Sequence, residues 1–277
     1  MDLRGKTFVI TGANSGLGAV TARAVAGAGG QVIMACRDVD KAEAVASDIG
    51  NLARVRRLDL GDLASVREFA ASADEFDVLI NNAGAMAVPH RRTVDGFESQ
   101  IGVNHLGHFA LTGLLIERIR SRVVTMSSGL HVLGSINLQD LNWEARRYRR
   151  MRAYGASKLA NLLFAYELQR RLTLAGSPVL SVAAHPGYAA TNLQGHTESF
   201  LDLIMKATKG FAQSAKRGAL SEIYAATAPV EPGGYYGPKR LRGYPRRVQS
   251  NAKSRDPDLA AKLWELSEKL TGVTYSI

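Results

Sequence analysis

A single cysteine, Cys36, stands among 277 residues. It excludes an internal disulfide and a cysteine zinc cluster and suits a reducing compartment, so a cytoplasmic protein is expected. Hydrophobic residues make up 46% of the chain, yet no run approaches the roughly 18 apolar residues of a spanning helix, and no transmembrane segment is expected. A strand pattern begins within the first ten residues, so no cleaved leader is expected either. Internal repeats and low-complexity tracts are lacking, which argues against a solenoid or an array. His105, His108, His131 and His185 do not fall at metal-ligand spacings, and no metal is expected.

Acid is in short supply too: 25 Asp and Glu against 35 Lys and Arg give a formal net charge of +10. Much of the excess lies in two clusters, Arg146-Arg147-Tyr148-Arg149-Arg150-Met151-Arg152 and Lys239-Arg240-Leu241-Arg242 through Arg246-Arg247. Neither carries the aromatic platforms of a strand-binding groove, so no nucleic acid is expected. Two readings remain, a solvated basic rim and a surface that steers an anionic cofactor or substrate.

What is present is an alternation of short apolar strands and helical patterns. Strands are expected at Thr7–Thr11, Val32–Cys36, Val55–Leu58, Val78–Asn81, Val123–Met126 and Val179–Ala184. That order argues for an α/β fold, a Rossmann-type doubly wound parallel sheet with helices on both faces and ligands at the carboxyl ends of its strands. The length allows one domain over residues 1–277. Asp40 with Glu43 fits a capping box at a helix start, and Asp62 fits another N-cap. Two long connections, Gly129–Met151 and Thr191–Lys216, are expected to wall a substrate pocket. The tail should hold a last strand near Pro232–Pro238 and a helix from about Asp256 to Leu270.

The chemistry-bearing marks fall at the expected strand ends. Thr11-Gly12-Ala13-Asn14-Ser15-Gly16-Leu17-Gly18 joins a strand to a helix, where Gly12, Gly16 and Gly18 let backbone N–H groups and the helix N-terminus meet a pyrophosphate. Asn14 and Ser15 either contact that ligand or only stabilise the turn. Arg37 at the end of the second strand suits a 2′-phosphate; Asp38 suits either a ribose hydroxyl or the cap of the next helix. Tyr154 and Lys158, four residues apart, share a helix face. There the ammonium is expected to lower the proton affinity of the phenol and make it an acid usable near neutrality. Ser128, with Ser127 as rival, is the hydroxyl after the fifth strand. Tyr148 and Tyr166 lack a Lys four residues on.

This order of marks resembles the short-chain dehydrogenase/reductase family over essentially the whole chain. It comprises T-G-x-x-x-G-x-G, Asn81-Asn82-Ala83-Gly84, Asn104, Ser128, Tyr154 with Lys158, and Pro186-Gly187. Ala35-Cys36-Arg37-Asp38, Asn104-His105-Leu106-Gly107-His108-Phe109 and Leu141-Asn142-Trp143 look most like the branch of retinol dehydrogenases and WW-domain oxidoreductases. The resemblance implies a carbonyl–alcohol oxidoreductase for a fairly apolar small molecule, with NADP(H) preferred over NAD through Arg37. It implies that Asp59 and Leu60 approach the adenine, unless Asp59 is only a strand-end surface carboxylate. Asn82, Ala83 and Gly84 would line the adenosine side while Asn81 holds the sheet. Ser128 would position the substrate oxygen, and Asn104 would hold a water that links Lys158 to solvent. Lys158 would also bind the nicotinamide ribose, Pro186 and Gly187 would run beside the nicotinamide, and Thr191 would touch its carboxamide. Pairing into a dimer or tetramer through the helices of Asn104 and Tyr154 is implied as well. The competing expectations are a nucleotide-binding scaffold that lost turnover and a light-dependent double-bond reductase. The second is disfavoured because Cys36 belongs to the adenine side.

Overall fold

The computed structural model describes residues 1–187, 215–239 and 243–277. Its strands are β1 (Thr7–Thr11), β2 (Gln31–Cys36), β3 (Ala53–Arg57), β4 (Phe76–Asn81), β5 (Ile119–Met126), β6 (Leu180–Ala184), β7 (Tyr235–Gly237) and β8 (Arg246–Arg247). They form one sheet in the order β3-β2-β1-β4-β5-β6-β7-β8. All neighbours are parallel except β7 and β8. The six expected strands are present. The seventh lies in the Tyr-rich stretch as expected, and the antiparallel β8 was not foreseen.

Period-two alternation explains why both faces are covered. Val9, Leu79 and Val123 point into one apolar cluster, while Phe8, Ile10, Ile80 and Val124 point into the other. The central strand β4 is buried at every position. The two edges differ from it: β3 reads Ala-Arg-Val-Arg-Arg and β8 is Arg246-Arg247.

Helices α1 (Gly16–Gly27), α2 (Val39–Ile49) and α3 (Leu63–Ala71) follow the first three strands. Asp62 caps α3, accepting from the Ala64 and Ser65 N–H groups. The cap of α2 is a correction: Asp38, not Asp40, sits at its start and accepts from the Lys41 N–H at 3.1 Å. Asp38 has extended backbone dihedrals, whereas Asp40 already lies in the first turn. After β4, α4 (Ser99–Ile101) runs through a π-turn over Gly102–Leu106 into α5 (Gly107–Leu115). Then come α6 (Arg150–Leu174), α7 (Ala215–Thr227) and α8 (Pro257–Thr271). Asp256 caps α8 with Pro257 in the first turn, and Gly272 ends it in the left-handed conformation.

Two packing features involve the helices. Trp264 of α8 meets Phe109 of α5 at 5.0 Å between ring centres and Phe164 of α6 at 5.8 Å. The C-terminal helix therefore packs on one face each of α5 and α6. Glu222 of α7 is fully buried against α1, and burial pushes its carboxyl up to about 8 while Thr21 opposes the rise.

Candidate active site

The nucleotide side is built from backbone. Gly12 takes φ +66°, and a Cβ on Gly18 would lie 2.5 Å from Asn82 Nδ2 and 2.6 Å from the Gly12 carbonyl oxygen. Only glycine permits that turn and that approach. Thr11 Oγ1 accepts the N–H groups of Asn82 and Ala83, each at 2.9 Å. Asn82 Nδ2 donates back to the Thr11 carbonyl at 2.7 Å. The ends of β1 and β4 are thus held together by one threonine and one asparagine. Asn81 is buried, and its amide donates to Thr112 Oγ1 of α5, tying the end of β4 to a helix. Leu17 also points into the core, so only its backbone faces the turn.

The residues fit a dinucleotide. Ser15 caps α1 without a side-chain hydrogen bond, and the first turn of this 12-residue helix carries no acid. Its N–H groups and the positive end of its dipole are therefore uncompensated by side chains, which suits a pyrophosphate. Arg37 is exposed just past β2, and Gly12 N donates to the Ala35 carbonyl two residues before it. Asp38 is engaged as the α2 cap. Asp59 Oδ1 accepts the Gly61 N–H at 2.9 Å, so this carboxylate is tied into its own turn. Leu60 is buried against Gly107. Cys36 is buried beneath the turn, and burial pushes its thiol up to about 11. At the end of β6, Gly187 has φ +69° and its N–H donates to His185 Nδ1; Pro186 precedes it. Thr191 and most of the Thr191–Lys216 connection lie outside the described residues.

The chemical side is built from the half-buried Ser128 and the buried side chains of Tyr154, Lys158 and Asn104, past the end of β5. Ser128, two residues beyond Met126, stands beside the Tyr154 phenol, where its side chain favours the ionised form. Ser127, the rival, is spent on structure: its hydroxyl donates to the Lys158 carbonyl at 2.8 Å. Lys158 Nζ donates to the Met126 carbonyl at 3.0 Å and lies 5.9 Å from the centre of the Tyr154 ring. A Cβ on Gly84 would stand 3.5 Å from that ammonium and 3.0 Å from Asn104 Oδ1. Asn104 clasps Ala85, accepting its N–H at 2.7 Å and donating to its carbonyl at 2.9 Å, and also donates to Ser157 Oγ.

The expected influence of Lys158 on Tyr154 is corrected by burial. Desolvation favours the neutral form of each group. It pushes the phenol up to about 12, with the Ser128 side chain opposing, and pushes the ammonium down to about 8. A phenol that keeps its proton is suited to give it to a forming alkoxide.

Several residues that organise the site were not singled out. Thr11 opens the Gly-rich motif, so its signal was present. Ser157 and Asn161, the latter donating to the Met126 carbonyl at 3.0 Å, carry no mark in the spacing. The tyrosines set aside are structural: Tyr148 donates to Glu98 and Tyr166 meets Ser250. His105 and His108 are also taken, by Ser267 and by Thr11. Among the described residues no group of three or more metal-ligating side chains occurs. A groove of about 610 Å³ between α6 and the β7–β8 edge is lined by Tyr166, Arg170, Tyr235 and Arg255, among others. None of the expected site residues lines it.

Comparison with known proteins agrees with this geometry. The short chain dehydrogenase family model matches residues 6–201. Human retinol dehydrogenase 13 is 42% identical over 289 residues, covering 97% of this chain and 85% of the relative. Human retinol dehydrogenase 12 is 42% identical over 99% of this chain and 89% of its own. A crystal structure of an uncharacterized protein from Mycobacterium Paratuberculosis superposes with a TM-score of 0.89 at 51% identity, over 100% of this chain and 97% of the other. No described helix is long and apolar enough to cross a membrane. The chain belongs to the short-chain dehydrogenase family, on its retinol dehydrogenase-like branch, and is an NAD(P)-dependent oxidoreductase acting on CH–OH and C=O groups.

Proposed function

We propose that the protein is an NADP(H)-preferring enzyme that interconverts the carbonyl and alcohol of a fairly apolar small molecule. The observation that carries the proposal is the meeting of Ser128, Tyr154 and Lys158 past the end of β5, beside Gly84. Nicotinamide supplies or accepts the hydride when bound. Ser128 orients the substrate oxygen, and Tyr154, protonated by burial, gives its proton to that oxygen in the reducing direction. Lys158 holds positive charge behind the phenol below about pH 8. Asn104 fixes the Ala85 backbone beside the ammonium, and would hold the water that links Lys158 to solvent.

The Gly-rich turn, with Gly12, Gly16, Gly18 and the backbone of Asn14, Ser15 and Leu17, would hold the pyrophosphate. Asp59, Leu60, Asn82, Ala83 and Gly84 would flank the adenosine, and Pro186 and Gly187 the nicotinamide. Preference for the 2′-phosphate rests on Arg37, which is exposed at the right strand end while Asp38 is taken by the α2 cap. Apolar substrate chemistry is supported by Val132 and Leu133, 55% and 50% exposed on the turn directly after Ser128. The relatives' name, retinol dehydrogenase, points the same way. The reading takes the chain as one domain in a reducing, cytoplasmic setting. It also includes self-association into a dimer or tetramer through the helices of Asn104 and Tyr154.

Titrating NADPH and NADH by fluorescence, with Arg37→Asp beside the parent, tests the cofactor choice. A hydrogen bond to a charged group contributes about 1.5–3 kcal/mol, so the substitution should weaken NADPH roughly 10- to 150-fold and leave NADH nearly unchanged. Equal affinities in the parent would overturn the preference.

A further inference from the structure

Ser128 follows the last residue of β5 by two and is succeeded by Gly129, which is exposed and has nothing within 4 Å of where a Cβ would stand. Glycine imposes little restriction on its neighbour's peptide, so the orientation of Ser128 must be fixed from elsewhere. The fixing atom is on His131. The Ser128 carbonyl accepts both the His131 N–H, at 3.0 Å, and the His131 ring at Nδ1, at 2.7 Å. On the far side of the ring the Asn251 N–H points at Nε2, at 3.4 Å.

That backbone N–H can only donate, so Nε2 is the accepting nitrogen and Nδ1 carries the proton given to Ser128. The ring is 5% exposed and sits edge-on to Tyr235 at 6.0 Å, with Tyr235 in turn 5.0 Å from His185. It cannot swing away without displacing these rings. Ser128 Oγ meanwhile accepts the Leu130 N–H at 3.2 Å, within the same turn.

We propose that His131 is a positioning residue for Ser128: a neutral imidazole that fastens the Ser128 peptide to the segment around Asn251, 120 residues on. The proposal rests on the reading of Ser128 as the substrate-orienting hydroxyl. The aim of the Ser128 hydroxyl then depends on the C-terminal segment leading into α8, although nothing in that segment reacts. Misplacement of a reacting group by about 1 Å can cost on the order of 10²-fold.

The test compares the full-length NADPH complex of the parent with His131→Asn, His131→Gln and Ser128→Ala. Turnover is read on a panel of straight-chain aldehydes and retinaldehyde, and nucleotide affinity by fluorescence. Asparagine keeps a donor at the position of Nδ1; glutamine reaches past it towards Asn251. The expected result is kcat near the parent for His131→Asn and a roughly 10- to 100-fold loss for His131→Gln, with NADPH affinity and KM little changed in both. Equal kcat for the two variants and the parent, with Ser128→Ala inactive, would overturn the role of His131 and leave Ser128 standing. Parental turnover by Ser128→Ala would sink the reading beneath it. Independently of any substrate, nitrogen NMR of the imidazole should show the neutral form with the proton on Nδ1; a proton on Nε2 would refute the arrangement.

Discussion

The two halves of the cleft are made of different materials. The nucleotide side is glycine, backbone N–H groups, one threonine hydroxyl and one asparagine amide; the chemical side is a phenol, an ammonium, an amide and a serine. Backbone geometry is local and depends little on pH, whereas the behaviour of a buried side chain depends on everything around it. A change on the first side should therefore act through shape and binding. A change on the second should act through protons and rate.

The sharpest separation is expected from Tyr154→Phe, which removes the proton donor while leaving the ring. Acid–base assistance contributes about 10²–10⁴-fold, so turnover should fall by that much while NADPH titrates as in the parent. Loss of nucleotide binding instead would mean that the two sides are not separable. Gly18→Ala is the mirror experiment. Its Cβ would collide with Asn82 Nδ2 and the Gly12 carbonyl, and overpacking of this kind costs roughly 1–3 kcal/mol. Nucleotide affinity and thermal stability should drop together, and crystal or NMR data should show the turn displaced.

A subtler effect is expected at Lys158. With its ammonium pushed down to about 8, reduction measured as kcat/KM in the free enzyme should decline as pH rises through that value, because the charge is lost there and not near 10.5. A profile flat to about pH 10 would contradict the burial argument. The smallest effect lies outside the cleft. Glu222 is raised to about 8, so the folded chain keeps a proton that the unfolded chain releases near 4.5. The stability this contributes is complete below about pH 4.5 and is lost as pH rises through about 8. Glu222→Gln should therefore raise the melting temperature more at about pH 9 than at about pH 5; an equal shift at both would remove the carboxyl from the account.

The same division explains what could be read without coordinates. The positions of the first six strands, the glycine turn between β1 and α1, and the placing of Tyr154 and Lys158 on one helix follow from short-range patterns and appear where expected. The α2 cap was open between Asp38 and Asp40 because both satisfy a composition rule, and only the extended dihedrals of Asp38 choose between them. The proton affinities were misjudged for a different reason. Four residues of spacing place Lys158 beside Tyr154, but desolvation comes from β5, α6 and the loop at Gly84, and no helix spacing reports it. Thr11 and His131 act on partners about 70 and 120 residues away, contacts that no local pattern contains. The packing of α8 on α5 and α6 belongs to the same class.

The two end strands of the sheet, among the described residues, carry arginine: Arg54, Arg56 and Arg57 on β3 and Arg246 and Arg247 on β8. Unpaired strand margins invite other chains to join them, and like charge along the margin is a common guard against this. Of these arginines, Arg247 pairs with Glu231 and Arg56 is engaged by Phe69 and Ser72, while Arg54, Arg57 and Arg246 place like charge along the two end strands. Because such repulsion is screened within roughly 10 Å at about 0.1 M salt, the protein should stay dispersed in dilute buffer and begin to associate margin to margin as ionic strength climbs.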